Sequence, residues 1–196
     1  MAGPLQSFVC FDFETTGWTP ESRNLPWQMG IARFSGPGFQ EVRLFETLLR
    51  VPLEQVFNPY TPGRWAKIRD ELSVSPALTE FWPQIHAFLS SSQAAVAHHV
   101  ATERGILGDF FPCHLSGLPW LDTVVIARTA FPRRRNYKLE NLLPDLSLSP
   151  QAEAICPGRQ PHDALYDAVA CGVLLRHVLA FPPWSTADPE TLARLK

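Results

Sequence analysis

Asp12 and Glu14, two carboxylates two positions apart at the end of an apolar run, are the first residues whose types and spacing suggest chemistry. On a strand such a pair shares one face, while Phe11 and Phe13 point into the opposite layer. Like charges this close repel and raise one another's pKa unless a cation neutralises them, and oxygen-only donors suit Mg2+ or Mn2+. Read alone, the pair is either such a cation site or a strand-end pair solvated at a turn. His162 and Asp167 form a second group. Five helical positions turn the direction by about 140°, so the two converge only if His162 lies in the loop before a helix that Asp163 caps. Asp167, Ala170, Cys171 and Leu174 then share a stripe toward the sheet. That is either an acid seeking a cation beside a proton-carrying histidine, or a capping-region acid beside a surface histidine. Glu103 falls near a helix start, where the dipole favours an anion. His98 and His99 are adjacent, point apart and have no cysteine nearby, which argues against zinc.

The elements that must position these groups follow from hydrophobic patterning. Ser7–Phe13 is a nearly continuous apolar run, the mark of a central strand buried on both faces. Gln28–Phe34 and Glu41–Val51 are two further strands, with Gly36, Pro37 and Gly38 supplying a hairpin turn, so the first three strands form an antiparallel meander. Ala77–Leu89 has helical spacing, with Ser75 and Pro76 as cap and first turn and Pro83 able to shift the start. A short strand at Ala94–Ala97 leads into a helix at Ala101–Phe110, and Trp120–Asp122 feeds a helix at Thr123–Phe131. Leu139–Leu143 is a helical turn, Pro144–Pro161 a loop, and Ala164–Leu179 the longest helix. The expected fold is α/β, a mixed five-stranded sheet with helices on both faces. Pro182 and Pro183 end the last helix; residues 1–180 form the domain and 181–196 a tail with an amphipathic helical pattern.

Three segments taken together resemble a known family: Asp12-Phe13-Glu14-Thr15-Thr16-Gly17, then His98-His99-Val100-Ala101-Thr102-Glu103, then His162-Asp163-Ala164-Leu165-Tyr166-Asp167. In order and spacing they are similar to the three motifs of the DEDDh (DnaQ-like) 3′ to 5′ exonucleases, which have the RNase H-like fold. The resemblance spans about Phe8 to Leu179. It implies hydrolysis of phosphodiester bonds at the 3′ end of single-stranded DNA or RNA with release of nucleoside 5′-monophosphates. It also implies two divalent ions, Mg2+ or Mn2+, held by Asp12, Glu14, Glu103 and Asp167, with Asp12 shared between them. His162 would be the general base; Thr15, Thr16, Trp18 and His98 would meet the terminal nucleotide, and a DNA polymerase is an implied partner. An RNA-trimming enzyme and an idle binding module of the same fold are the alternatives. Two departures stand out. The family usually has His-Asn and then Asp, where this chain has His98-His99 and Glu103; and Trp18 replaces an aliphatic residue, offering an indole that either stacks on a base or caps the core.

Composition points elsewhere at first. The 196 residues carry 17 Lys+Arg and 19 Asp+Glu, a formal charge of -2, without the basic surplus of most nucleic-acid binders. Assigning four acids to a metal site leaves 15 against 17 bases, so the expected binding is local and metal-assisted. The densest positive run, Arg133 to Lys138 with Tyr137 inside it, is either a solvated loop or a guide for the strand backbone. No apolar run approaches the ~20 residues of a membrane span, and the N-terminus lacks a secretory pattern. Cys10, Cys113, Cys156 and Cys171 are scattered among apolar neighbours, as core residues of a cytoplasmic protein would be.

Overall fold

The apolar run that carries Asp12 and Glu14 is the middle strand of the sheet. In the computed structural model, which describes residues 3–61, 63–112 and 117–196, β1 (Phe8–Thr15) is buried at every position except Asp12 and Thr15, which are half-buried. It pairs antiparallel with β2 (Pro26–Ser35), and β2 pairs antiparallel with β3 (Glu41–Leu48). On its other side β1 runs parallel to β4 (Ala95–Ala97), which runs parallel to β5 (Trp120–Asp122), giving the order β3-β2-β1-β4-β5.

Among the described residues the helices are α1 (Arg69–Val74), α2 (Trp82–Ser90), α3 (Val100–Phe110), α4 (Thr123–Ala130), α5 (Leu139–Asp145), α6 (Ser149–Ile155), α7 (Ala164–Leu179) and α8 (Pro189–Ala193). Strand alternation divides the core into two layers. Phe8, Cys10, Ala32 and Phe34 pack with α4, α5, α6 and α7, whereas Val9, Phe11, Phe13, Met29 and Ile31 pack with α2 and α3. Asp12 and Glu14 therefore fall on the α7 side. The mixed sheet with helices on both faces is the expected architecture.

The distance between α7 and the sheet is set by two glycines. Gly30 lies opposite Asp12 in the β1–β2 register, and a Cβ there would stand 2.1 Å from the backbone oxygen of Ala164. A Cβ on Gly172 would stand 2.0 Å from the Phe34 ring. The start of α7 thus rests on bare strand backbone beside Asp12, a contact no side chain would allow.

Several segments differ from their expected form. Pro144–Pro161 is not all loop. Pro144 lies within α5, and α6 begins at Ser149 with Pro150 in its first turn and buries Ala152 against α7. Proline there is a start signal, since its missing N–H is one the helix leaves free anyway. The 36–38 turn is a short 3-10 segment (Pro37–Phe39), and the helix expected from Ala77 starts as a 3-10 turn (Leu78–Phe81) before α2, where Pro83 is tolerated. The tail folds back: Leu192 of α8 is buried in the α7-side core and the Leu5 N–H donates to Ala187 O at 3.2 Å. Cys10, Cys156 and Cys171 are buried free thiols, and Cys113 lies outside the described residues. No helix of the structure among the described residues is long and apolar enough to cross a membrane.

Gly30→Ala should therefore lower stability by about 3 kcal/mol or more, because backbone cannot yield as a flexible side chain can. Gly105→Ala, inside α3 with nothing within 4 Å of its added Cβ, should instead raise stability by roughly 0.5–1 kcal/mol. Urea or thermal unfolding of the two variants measures both; equal effects would refute the close approach of α7.

Candidate active site

Parallel pairing of β1 with β4 brings their C-terminal ends to one edge of the sheet, where open α/β sheets place ligands. Asp12 and Glu14 stand at that edge. The chain leaves β4 there and begins α3 at His99, whose φ of +80° is left-handed. That conformation is uncommon for residues with a side chain, asparagine and aspartate adopting it most readily, and His99 holds it here. Asp122, at the end of β5, accepts from Val124 N–H at 2.8 Å as N-cap of α4, and its other oxygen accepts from Val100 N–H at 3.1 Å. One carboxylate thereby starts two helices and fixes the first turn of α3, which carries Glu103.

Opposite, the loop before α7 is tied down by charge. Asp163 caps α7 by accepting from Leu165 N–H at 3.1 Å, and Arg159 donates to Asp163 at 2.9 Å and to Glu46 on β3. His162 sits in that loop at φ +66°, and its N–H donates to Asp167 Oδ2 at 3.0 Å. This is the loop-and-cap geometry the spacing requires for convergence.

The structure brings Glu14, His162 and Asp167 together so that one ligand atom from each lies within 4.8 Å of the others. Asp12 shares their field: burial first, then Asp167, Glu103 and Glu14, hold its carboxyl well above the usual range. Burial pushes Glu14 up to about 7, with Asp167 and Asp163 adding to it. Asp167 rises to about 6 through burial, opposed by its hydrogen bond from His162. Glu103, only 4% exposed, rises to about 8, again chiefly by burial, and its Oε2 is buried with no hydrogen-bond partner. A helix-capping acid would use that oxygen; an orphaned one fits a cation ligand better. Buried carboxylates that repel one another, one of them with an orphaned oxygen, are the donor set of a hard divalent ion, so the residues fit Mg2+ or Mn2+.

A cleft of about 340 Å3 opens over Asp12, Glu14, His162 and Asp167, lined in part by His98, Lys138 and Glu140; Glu103 lies outside its lining. His98 has both ring nitrogens engaged: Nε2 at 2.8 Å from Tyr137 O and Nδ1 at 2.9 Å from Thr123 Oγ1. Burial lowers its pKa to about 4, so it is neutral and offers the cleft only ring carbons. Thr16 is fully buried; its hydroxyl accepts from Leu25 N–H at 2.9 Å and so braces the following loop. Thr15 is half-buried and lines, with Glu14, a neighbouring hollow outside the cleft, and Trp18 is 71% exposed. In the basic run, Tyr137 is occupied by the fold. Its hydroxyl donates to Phe131 O and Arg128 lies over its ring, while Arg134 pairs with Asp145. Arg133, Arg135 and Lys138 stay exposed.

Two residues near the chemistry have no signal in the one-dimensional pattern. Glu140 Oε2 lies 3.4 Å from His162 Nε2, brought there by α5. Tyr60, 92% exposed, overhangs a hollow that it shares with Glu14 and Thr15. Both follow from tertiary packing, of α5 for Glu140 and of the segment after β3 for Tyr60, which local spacing does not reveal.

With the geometry established, comparisons place the chain among known proteins. The Exonuclease (RNase_T) family model matches residues 9–175. The DNA polymerase III PolC-type protein of Oceanobacillus iheyensis is 26% identical over 172 residues, 86% of this chain and 11% of that protein. Its counterpart in Bacillus cereus is 24% identical over 183 residues, 89% of this chain and 11% of that protein. The chain thus spans only about a tenth of the length of these relatives. Among solved structures, a full-length 3′-exonuclease superposes with a TM-score of 0.70 at 12% identity, covering 91% of this chain and 62% of that one. The nuclease domain of 3′hExo, a DEDDh family member bound to rAMP, gives 0.66 at 12% identity, covering 94% and 98%. The zinc-bound complex of E. coli exonuclease I with single-stranded DNA gives 0.64 at 16% identity, covering 91% and 41%. At such identities these structures attest the shared fold, which is the RNase H-like exonuclease fold.

Raised carboxyl pKa values make stability depend on pH with a definite sign. The folded protein holds protons that the unfolded chain, with carboxyls near 4, releases. The stability this contributes is complete below about pH 4 and is lost as pH rises through about 6, 7 and 8, the values for Asp167, Glu14 and Glu103. In EDTA, the melting temperature should fall by roughly 5 °C or more between pH 5.5 and 8.5, and Glu103→Gln should flatten the upper part of the slope. Differential scanning calorimetry measures it; a melting temperature that rises over this window would contradict the assignment.

Proposed function

The chain belongs to the Exonuclease family, and from that premise we propose that it removes nucleotides one at a time from the 3′ end of single-stranded DNA, releasing nucleoside 5′-monophosphates with two divalent ions. The observation that carries this reading is the convergence of Asp12, Glu14, Asp167 and the orphaned Glu103 carboxylate beside a loop-held His162. Its relation to PolC-type polymerases supports DNA over RNA and a polymerase as the source of the strand end. The exonuclease domain is assigned to residues 1–180, with 181–196 as a tail that packs against it. Buried free thiols at Cys10, Cys156 and Cys171 support a reducing compartment such as the cytoplasm.

Asp12, Glu14, Glu103 and Asp167 would hold the ions. When bound, these would neutralise charge on the attacking and leaving oxygens of the phosphodiester. The protein's own groups do the rest. His162 takes a proton from the attacking water as general base. Its Nε2 lies within reach of Glu140, and the half-exposed ring can return that proton to solvent. Asp167 accepts the His162 N–H and so orients the loop that carries the base. Thr15 at the strand end is assigned to the terminal nucleotide, a reading supported by its half-buried position, and Trp18 offers an exposed indole on which a base can stack. Thr16 and His98 support that site from beneath, one bracing the loop and the other packing its ring against the cleft. Glutamate at 103 has one methylene more than aspartate, which lengthens its reach toward an ion from the helix start.

Labelled single-stranded DNA and RNA oligonucleotides, with Mg2+ or Mn2+ against EDTA, test the reading. Stepwise mononucleotide release from the 3′ end, faster on DNA, is expected. Preference for RNA would establish the trimming enzyme instead, and binding without any metal-dependent release would establish an idle module. Asp12→Ala and Asp167→Ala should reduce the rate by roughly 10^3-fold or more with the fold retained. His162→Ala should lower kcat by about 10^2-fold or more with little change in strand affinity. Glu103→Ala should be far worse than Glu103→Asp; parity between them would reduce Glu103 to a helix-start acid.

A further inference from the structure

On the far side of the His162 loop lies a second cavity, about 780 Å3, larger than the catalytic cleft and opposite in character. The two cavities share Pro161 and His162, so that loop is the wall between them. Gln28, Arg64, Lys67, Arg159 and Asp163 are among the residues that line it. Its size lies within the ~300–1,000 Å3 typical of small-ligand sites.

Arg64 and Lys67 have no ion-pair partner among the described residues. Arg64 is the N-cap and Lys67 the last residue of a 3-10 turn, Trp65–Lys67, and in such a turn side chains three apart point the same way. The turn is well anchored. Trp65 stacks on Phe57 at 4.3 Å between ring centroids, and its indole N–H donates to Thr61 O at 3.2 Å. Gly63, at φ +103°, lets the segment pass close to Trp27 and to the backbone oxygen of His162, 3.7 Å from where a Cβ would be. Two cations thus line the cavity without an ion pair of their own, beside a third, Arg159, whose guanidinium takes up the one acid in the lining, Asp163, together with Glu46. Such an arrangement gains from an anion between the first two, and the chemistry next door makes one.

We propose that this cavity binds the phosphate of a nucleoside 5′-monophosphate, with Arg64 and Lys67 as its anion clamp and Gln28 as a neutral hydrogen-bonding group. The inference rests on the function proposed above, since the ligand is the expected product. A phosphomonoester carries more negative charge than the diester it came from, and the acidic cleft repels it once its ions are lost. A basic chamber across a shared wall gives the product a place to go and makes it a feedback inhibitor at high concentration.

The test uses the full chain in EDTA, where the acidic cleft disfavours nucleotide, so that binding reports this cavity. Calorimetric titrations with dAMP, deoxyadenosine, inorganic phosphate and a trinucleotide are compared for the wild type and for R64Q/K67Q. dAMP should bind the wild type, deoxyadenosine should bind at least roughly tenfold more weakly, and the double variant should lose about tenfold or more in dAMP affinity. With metal present, R64Q/K67Q should retain strand-shortening activity at saturating substrate but become less sensitive to inhibition by added dAMP. Equal dAMP affinity in the two proteins overturns the proposal, as does tighter binding of the trinucleotide than of dAMP, which would make the cavity part of the strand path. Should the wild type bind dAMP through Arg64 and Lys67 yet shorten no strand under any metal, the cavity stands and the exonuclease reading falls.

Discussion

Asp12, Glu14, Glu103 and Asp167 repel one another in a setting that solvates them poorly, and much of the architecture exists to hold them there. Each has its carboxyl pKa raised, with burial the largest cause in every case. Left to themselves, side chains in this position would turn toward water or take up protons. That they stay grouped is a property of the backbone: two lie on the central strand, whose register is fixed by neighbours on both sides, and two on helices whose first turns are pinned. Electrostatic strain of this kind is relieved by divalent cations, which ties the cost in the free protein to the chemistry of the loaded one.

The pins are few and specific. Gly30 and Gly172 let α7 lie on the strands closely enough for Asp167 to share Asp12's field. Asp122 starts α3 and α4 with its two oxygens, and in doing so adds negative charge that helps to raise Glu103. Arg159 joins Asp163 to Glu46, fastening the His162 loop to β3 across the sheet edge. The same loop, through Pro161 and His162, lines both cavities, one rich in carboxylates and one lined by Arg64, Lys67 and Arg159.

The grouping of Asp12, Glu14, His162 and Asp167 was legible in the sequence because these residue types recur at short spacings: D-x-E on a strand, and a histidine five residues before an aspartate at a helix start. The antiparallel meander of the first three strands followed from the short turn between β2 and β3, and the β/α rhythm of the second half from its patterning, while the pairing of β4 with β1 shows only in the structure. What was not legible depends on where loops go. Glu140 reaches His162 from 22 positions away, and Arg64 and Lys67 face Arg159 across about half the chain; no local pattern encodes either meeting. Thr16 and His98 carry the right residue types at the right positions, yet burial and hydrogen bonding commit their polar atoms inward, which spacing alone cannot reveal. Residues 144–161 contain enough prolines to read as loop, although Ser149 and Pro150 are a helix start. The -2 formal charge misled for a simpler reason: it counted acids gathered in one cleft as though they were spread over the surface.

Proton release on metal binding is the most direct measure of that central repulsion. If the site acids hold protons near neutral pH because they are buried together, Mn2+ must displace those protons when it binds. Calorimetric titration of the protein with Mn2+ at pH 7.5, repeated in buffers of different ionisation enthalpy, yields both the stoichiometry and the protons released. The account predicts two Mn2+ per chain with roughly one or more protons expelled, and loss of at least one ion in Asp12→Asn. Binding with no proton release, or no saturable binding at all, would contradict it.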